Sequence, residues 1–163
     1  MVNARQKGTK AEREVAAILR RYSDLDFIQT PGSGSGKIKG DLYVEHKHNL
    51  FLIEVKHYKD MGFTHKIFTQ KSNNLVTWWN KAIKQAQEME QEPLIIMKQN
   101  YSNWFVVTTR KPKNTGRYMH INWLGAYILQ AEKWLDNEHI VFTNGDKFLK
   151  PWEPDPEWEL TDS

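Results

Sequence analysis

Residues 50–56 form an apolar stretch that is interrupted at alternate positions by two charged residues, Glu54 and Lys56. A short run of large apolar and β-branched residues of this kind predicts a β-strand. Side chains alternate between the two faces of a strand, so Glu54 and Lys56 share one face while Ile53 and Val55 point to the other. The chain must therefore fold into a sheet in which this strand carries an acid and a base together on one face.

A second strand is predicted over Asp41–Glu45, with His46–Asn49 as the turn between the two strands. If the turn is centred in the middle of that segment, Asp41 lies directly opposite Glu54, with Cβ atoms roughly 4.5–5.5 Å apart. Two carboxylates at that distance repel each other, and one of them takes up a proton unless a cation lies between them. Oxygen-rich sites of this kind suit Mg²⁺, with Mn²⁺ as a substitute.

The lysine and a further acid extend this constellation. Lys56, beside a metal-bound water, would orient that water and stabilise negative charge developing on a phosphate. A helix is predicted over residues 9–22, and Glu12 lies at the border of its apolar stripe. Glu12 is therefore either the capping-box partner of Thr9 or a group directed at a site near the core.

The remaining elements predict an α/β fold with a mixed central β-sheet flanked by helices. They are a short strand at Phe27–Ile28, a helix over 73–90, strands at Leu94–Met97 and Trp104–Thr108, a helix over Trp123–Leu135, and a hairpin around Asn144-Gly145.

Length and charge predict one domain over residues 1–150, followed by an acidic, proline-containing tail over 151–163. The net charge of +3 is uneven, because residues 150–163 carry −4 and the preceding residues +7. A basic body suits nucleic acid, although it can also serve solubility alone. The absence of cysteine excludes a disulfide scaffold and a thiolate metal site. With no apolar run that would span a bilayer and no secretory signal, we expect a cytoplasmic protein.

Two further features are open between DNA contact and ordinary structure. One is a cluster of basic residues that would contact phosphates or form a solvated basic face, comprising Arg5, Lys7, Lys10 and Arg13. The other is the pair Trp78 and Trp79, which would stack on bases of opened DNA or lie in a core or a dimer interface. For the tryptophans the interface interpretation is favoured.

Four motifs, taken in order, resemble the archaeal-type Holliday junction resolvases of the PD-(D/E)xK nuclease superfamily. These are Lys7–Glu14, the glycine-serine loop Thr30–Ser35, Gly40-Asp41-Leu42, and Ile53-Glu54-Val55-Lys56. The helix at 73–90 and the following Pro93–Lys98 are similar to the next elements of that family. The resemblance covers residues 5 to about 108 and implies a restriction-endonuclease-like fold.

The resemblance implies a Mg²⁺-dependent endodeoxyribonuclease that acts in DNA recombination and repair. Glu12, Asp41, Glu54 and the main-chain carbonyl of Val55 would hold the metal, and Lys56 would position the attacking water. Ser33 would lie near the scissile strand, with further DNA contacts from Ser35, Lys37 and Lys39. The family also implies a homodimer that nicks opposing strands of a four-way junction symmetrically.

The chain departs from the family pattern at some positions. Gly40 replaces the proline that names the superfamily, residues after 110 match less clearly, and neither Gln70 nor Gln85 aligns cleanly with a catalytic glutamine. Three alternatives stay open. The first is a nuclease of the same type that acts on flaps, mismatches or duplex DNA, the second is a non-catalytic DNA-binding protein, and the third is a small structural or assembly protein that does not bind DNA.

Overall fold

The computed structural model describes residues 4–31, 38–59 and 73–144, with side chains from residue 8 onward. The described residues form a seven-stranded mixed sheet with helices on both faces, which confirms the predicted α/β class. The helices are α1 (Ala4–Ser23), α2 (Asn74–Met89) and α3 (Ala131–Asn137). The strands are β1 (Phe27–Gln29), β2 (Leu42–Val44), β3 (His48–Asn49), β4 (Phe51–Tyr58), β5 (Glu92–Gln99), β6 (Phe105–Thr108), β7 (Met119–Ile121), β8 (Ala126–Gln130) and β9 (Thr143–Asn144).

The large sheet has the strand order β1-β2-β4-β5-β6-β8-β7. Only β4 and β5 run parallel, joined by a crossover that contains α2, and every other neighbouring pair is antiparallel. In β5, residues Pro93–Met97 are all buried because strands flank it on both sides and helices cover both faces. The sequence of β5 is accordingly a continuous apolar run.

Strand β4 separates two hydrophobic clusters. Phe51, Ile53 and Val55 pack with α1 and α3 on one face, whereas Leu52 packs with α2 on the other. The positions of Ile53 and Val55 confirm the predicted alternation, and the opposite face is left to Glu54 and Lys56. Strand β4 thus carries charged residues on the face that α2 covers.

The pairing of β2 with β4 has the predicted register. Leu42 lies opposite Ile53, so the two residue numbers sum to 95, as required for Asp41 to adjoin Glu54. The observed turn is shorter than the predicted His46–Asn49, because His48 and Asn49 form β3 and pair with β9. Asn144 is accordingly a strand residue, while Gly145 and Phe148–Leu149, which complete the predicted hairpin, lie outside the described residues.

The predicted helix over Trp123–Leu135 is confirmed only for residues 131–135, which belong to α3, and is wrong for the residues before them. A 3₁₀ turn at Asn122–Leu124 ends at Gly125, whose φ is +63°, and β8 and α3 follow. Ile128 and Leu129 are buried in the two different clusters, which is the two-residue period of a strand. A short apolar run does not distinguish a buried strand from a buried helix by periodicity alone, and pairing with β6 and β7 decides the outcome.

Helix α1 begins at Ala4, five residues before the predicted start. Thr9 therefore lies inside the helix and is not its N-cap, so the capping-box interpretation of Glu12 is wrong. None of the described helices is long and apolar enough to cross a membrane.

Gly40 provides a test of how β2 is held against β4. Its φ is +85°, and a Cβ added there would lie 3.1 Å from the Ile53 carbonyl oxygen. Gly40→Ala should lower the free energy of unfolding by about 1–2 kcal/mol, because an L residue is strained in this region of φ. Urea unfolding measures the change. Gly116→Ala is the control, since a Cβ there meets nothing within 4 Å, and equal effects of the two substitutions would contradict the prediction.

Candidate active site

Asp41 is the residue around which the predicted site is built. Its carboxylate Oδ2 accepts a hydrogen bond of 2.7 Å from the Val55 amide, and its own amide donates to the Ile53 carbonyl at 2.7 Å. Its carbonyl accepts from the Thr30 amide at 2.9 Å. Main-chain and side-chain hydrogen bonds therefore fix Asp41 between β4 and the segment that follows β1.

Glu54 lies beside Asp41 on the face that α2 covers. Its pKa is raised from 4.5 to about 8, chiefly by burial and then by the charge of Asp41 and a hydrogen bond with it. The positive charges of Lys56 and Lys81 act in the opposite direction. Burial beside Asp41 therefore favours the protonated form of Glu54, which can donate a hydrogen bond to the Asp41 carboxylate.

Glu12 reaches the same carboxylate from α1. Burial, the charge of Asp41 and a hydrogen bond with Asp41 raise the pKa of Glu12 to about 7, while Lys56 lowers it. The structure thus brings Glu12, Asp41, Glu54 and Lys56 together, although they come from three different elements. Two glutamates pressed against one aspartate concentrate more negative charge than the nearby lysines offset.

Lys56 is held by an aromatic ring. Its Nζ lies 5.7 Å from the ring centroid of Trp78, in the second turn of α2. A cation over the face of a tryptophan ring is attracted by the ring's quadrupole. The lysine is therefore kept close to the carboxylates, and within the described residues its Nζ forms no salt bridge that would neutralise one of them.

The Val55 carbonyl lies on the correct edge of β4 to contribute an oxygen. The Val55 amide donates to Asp41, and the N–H and C=O of one residue point to the same edge of a strand. The carbonyl is therefore directed to the side on which Asp41 lies.

The chemistry of these donors fits a hard divalent cation such as Mg²⁺. Carboxylate and carbonyl oxygens are the ligands this ion prefers, and an ion would offset the charge that raises the glutamate pKa values. The three acids do not surround a single point, however. Within the described ranges, no group of three or more His, Cys, Asp or Glu side chains is placed so that it could hold a metal ion. The glutamates are instead paired one by one with Asp41.

The other predicted site residues are partly described. Lys10 and Arg13 are exposed on α1, while only the backbone of Arg5 and Lys7 is described. Lys39 is half-buried and lines a cavity of about 320 Å³ together with His46, Lys47 and His48. Ser33, Ser35 and Lys37, like Gln70 and the tail 151–163, lie outside the described residues.

Lys81 is a site residue that the sequence analysis missed. It is exposed on α2, one turn after Trp78, and its charge lowers the pKa of Glu54. Gln85 follows one turn later, with a buried Oε1 that has no hydrogen-bond partner among the described residues. Lys81 lies three residues after Trp78, so the two side chains share a helix face. No local pattern, however, indicates which strand this face covers.

The raised pKa values predict how stability depends on pH. A glutamate whose folded pKa lies above its unfolded pKa stabilises the fold fully below about pH 4.5, and this stability is lost as pH rises through about 7 and 8. Asp41→Asn retains an acceptor for the Val55 amide but removes the charge. In EDTA, the variant should lose less stability than the wild type between pH 5 and 9, because removing the Asp41 charge lowers the folded pKa of both glutamates toward the unfolded value.

Thermal unfolding across this pH range in EDTA makes the measurement. The variant's slope should be shallower but not flat, because burial, the largest cause of both shifts, remains. Identical slopes for the two proteins would show that the charge of Asp41 does not raise the pKa values of Glu12 and Glu54.

Comparisons with known proteins identify the family of this chain. Residues 3–155 match a family described as "Phage putative PDDEXK endonuclease". Protein D14 of Escherichia phage T5 is 30% identical over 112 residues, which cover 64% of this chain and 70% of that protein. The 1.6 Å structure of Archaeoglobus fulgidus Hjc, a Holliday junction resolvase, is 15% identical, covers 80% of this chain and 93% of its own, and has a TM-score of 0.44. Because the family match spans almost the whole sequence, the chain belongs to this family of phage PDDEXK endonucleases.

Proposed function

We propose that the protein is a Mg²⁺-dependent endodeoxyribonuclease that nicks DNA at four-way junctions. The observation that carries the proposal is the gathering of Glu12 and Glu54 around Asp41, with Lys56 beside them. Membership of a PDDEXK endonuclease family supports the hydrolysis of phosphodiesters. The preference for junctions is supported by the resemblance of the α1 motif, the glycine-serine loop and the strand motifs to junction resolvases.

In this proposal Asp41, Glu54 and Glu12 hold the metal with the Val55 carbonyl. A bound ion would supply positive charge that lowers the pKa of a nearby water and offsets negative charge on the phosphate. The two glutamates give up the protons they share with Asp41, so metal binding releases protons and strengthens as pH rises. The Val55 amide keeps Asp41 in place throughout, because it donates to the carboxylate in the metal-free protein already.

The lysines supply fixed positive charge. Lys56, positioned by the Trp78 ring, donates a hydrogen bond to the attacking water or to a phosphate oxygen. Lys81 approaches the same carboxylates from α2 and adds a second positive charge on the side of Glu54. Both charges attract the phosphodiester and stabilise the additional negative charge of the transition state.

Basic side chains around the site contact the phosphates of the DNA backbone. Lys10 and Arg13 are exposed on the helix that carries Glu12, and Lys39 lies two residues before Asp41. Arg5, Lys7, Ser33, Ser35 and Lys37 are proposed to extend these phosphate contacts. Two such sites in a homodimer would nick opposing strands of one junction.

Metal binding should stabilise the fold. Mg²⁺ or Mn²⁺ at about 100 times its Kd is expected to add about 2.7 kcal/mol to the free energy of unfolding of the wild type. Asp41→Asn and Glu54→Gln should remove most of this gain, which thermal unfolding under metal titration measures. Glu45→Gln is the control, because Glu45 is an exposed glutamate in the turn after β2. An undiminished gain in Asp41→Asn would place the metal elsewhere.

Cleavage should require the same residues. We expect an end-labelled four-way junction, but not a linear duplex of the same sequence, to be nicked symmetrically near the branch point with Mg²⁺ and not with EDTA. Asp41→Asn should abolish the nicks, and Lys56→Met should slow them by about 10²–10³-fold through loss of a stabilising charge. Lys98→Met is a matched control, because Lys98 also lies over a tryptophan, 5.5 Å from the Trp104 centroid, but on the opposite face of the sheet.

The same assay separates the alternatives. Metal-dependent cutting of flaps or plain duplex at the same rate as junctions would retain the nuclease and reject the junction preference. Tight junction binding without any cutting in Mg²⁺ or Mn²⁺ would favour a non-catalytic DNA-binding protein. Nicks in only one of two opposing strands per encounter would contradict the proposed homodimer.

A further inference from the structure

We infer that Tyr58 and Trp78 form a stacking platform for a nucleobase that has left the DNA stack beside the cleaved phosphate. This aromatic platform would make the enzyme select DNA with unstacked bases, as found at a branch point. The inference rests on the proposed nuclease function and identifies the unstacked base as the feature of the substrate that the site recognises.

The platform is continuous with the site. The rings of Tyr58 and Trp78 have centroids 4.7 Å apart and planes inclined by 35°, and Lys56 lies over the same Trp78 ring at 5.7 Å. Lys56 and Tyr58 are two residues apart on β4 and so share the face that carries Glu54. One tryptophan of α2 thus touches both the lysine of the site and the tyrosine at the end of the strand.

The spacing along β4 suits a DNA strand. At roughly 3.3 Å per residue, Tyr58 lies about 7 Å beyond Lys56 and about 13 Å beyond Glu54. Stacked nucleotides of one strand rise roughly 3.4 Å each, so a strand whose phosphate lies at the carboxylates passes the platform within a few nucleotides. A base a few nucleotides from the cleaved phosphate is therefore within reach of Tyr58.

The exposure of these rings argues against a purely structural role. Trp79 is 0% exposed and its indole N–H donates to the Leu124 carbonyl at 2.8 Å, so this tryptophan is a core residue. Trp78 is only half-buried at the margin of that core, and Tyr58 remains 44% exposed. The adjacent tryptophans therefore have different roles. Trp79 packs in the core, whereas Trp78 packs against the exposed ring of Tyr58.

Base stacking on an aromatic ring selects for DNA structure. Every base has a π-face, so stacking depends little on sequence, but bases inside a continuous duplex are already stacked on one another. Only a branch, a flap or a damaged position offers a base at low cost. The nearby Lys56 adds a positive charge that holds the adjoining phosphate.

The test uses Tyr58→Leu and Tyr58→Phe with junctions that carry the fluorescent adenine analogue 2-aminopurine at positions flanking the branch. Binding is measured in EDTA, so the result does not depend on cutting. Wild type and Tyr58→Phe should quench the analogue by stacking, whereas it should stay bright with Tyr58→Leu. Affinity of Tyr58→Leu for the junction should fall by roughly 5- to 100-fold, equivalent to about 1–3 kcal/mol, with little change for duplex.

Tyr118→Leu is the matched control. Tyr118 is also exposed and packs against one aromatic ring, with centroids 5.8 Å apart from Tyr127, but it precedes β7 at the far edge of the sheet. It should behave as the wild type. Trp78→Phe, which keeps an apolar ring on the core, should weaken quenching in the same direction as Tyr58→Leu.

Equal quenching and equal junction affinity in Tyr58→Leu and the wild type would overturn the inference. If the wild type nicks junctions and the tyrosine variants are unchanged, the nuclease proposal stands and only the platform fails. A wild type that binds neither junction nor duplex at low salt would contradict both the nuclease proposal and the stacking platform.

Discussion

The hydrogen bond from the Val55 amide to the Asp41 carboxylate is the interaction on which the site depends. Together with the hydrogen bond from the Asp41 amide to the Ile53 carbonyl, it joins the start of β2 to β4. Both hydrogen bonds are 2.7 Å long. A slip of one residue would turn every side chain of β2 to the opposite face and remove Asp41 from Glu54. Gly40 allows this close approach, because its left-handed backbone lies directly against β4.

Placing Glu12 and Glu54 in partly buried positions beside Asp41 costs stability. Burial raises the pKa of both glutamates most and the charge of Asp41 raises it further, so a bound proton reduces this cost. The surrounding fold offsets the remainder, since Ile53 and Val55 belong to the α1 cluster while Leu52 belongs to the α2 cluster. A strand with buried side chains on both faces is a rigid support for such a charged group.

Local patterns predicted the parts of the site that lie on one strand or one hairpin. Period two placed Glu54 and Lys56 on one face, and the turn predicted the register of Leu42 with Ile53. The border of the apolar stripe singled out Glu12, although Thr9 misled by suggesting a cap. Patterns failed where distant elements decide the outcome. The strand β8 is selected by pairing with β6 and β7, and Lys81 acquires its neighbour only when α2 packs on the sheet.

The crossover from β4 through α2 to β5 explains why the site and the aromatic platform occur together. Because β4 and β5 are parallel, α2 must run back along β4, so its first turns lie over the end of that strand. Trp78 consequently meets Lys56 and Tyr58, and Lys81, further along the helix, meets Glu54. The same helix therefore carries the ring beside Lys56, a positive charge that acts on Glu54 and the ring that packs against Tyr58. A shift of α2 along the sheet would disturb all three at once, which couples substrate selection to catalysis through the packing of a single helix.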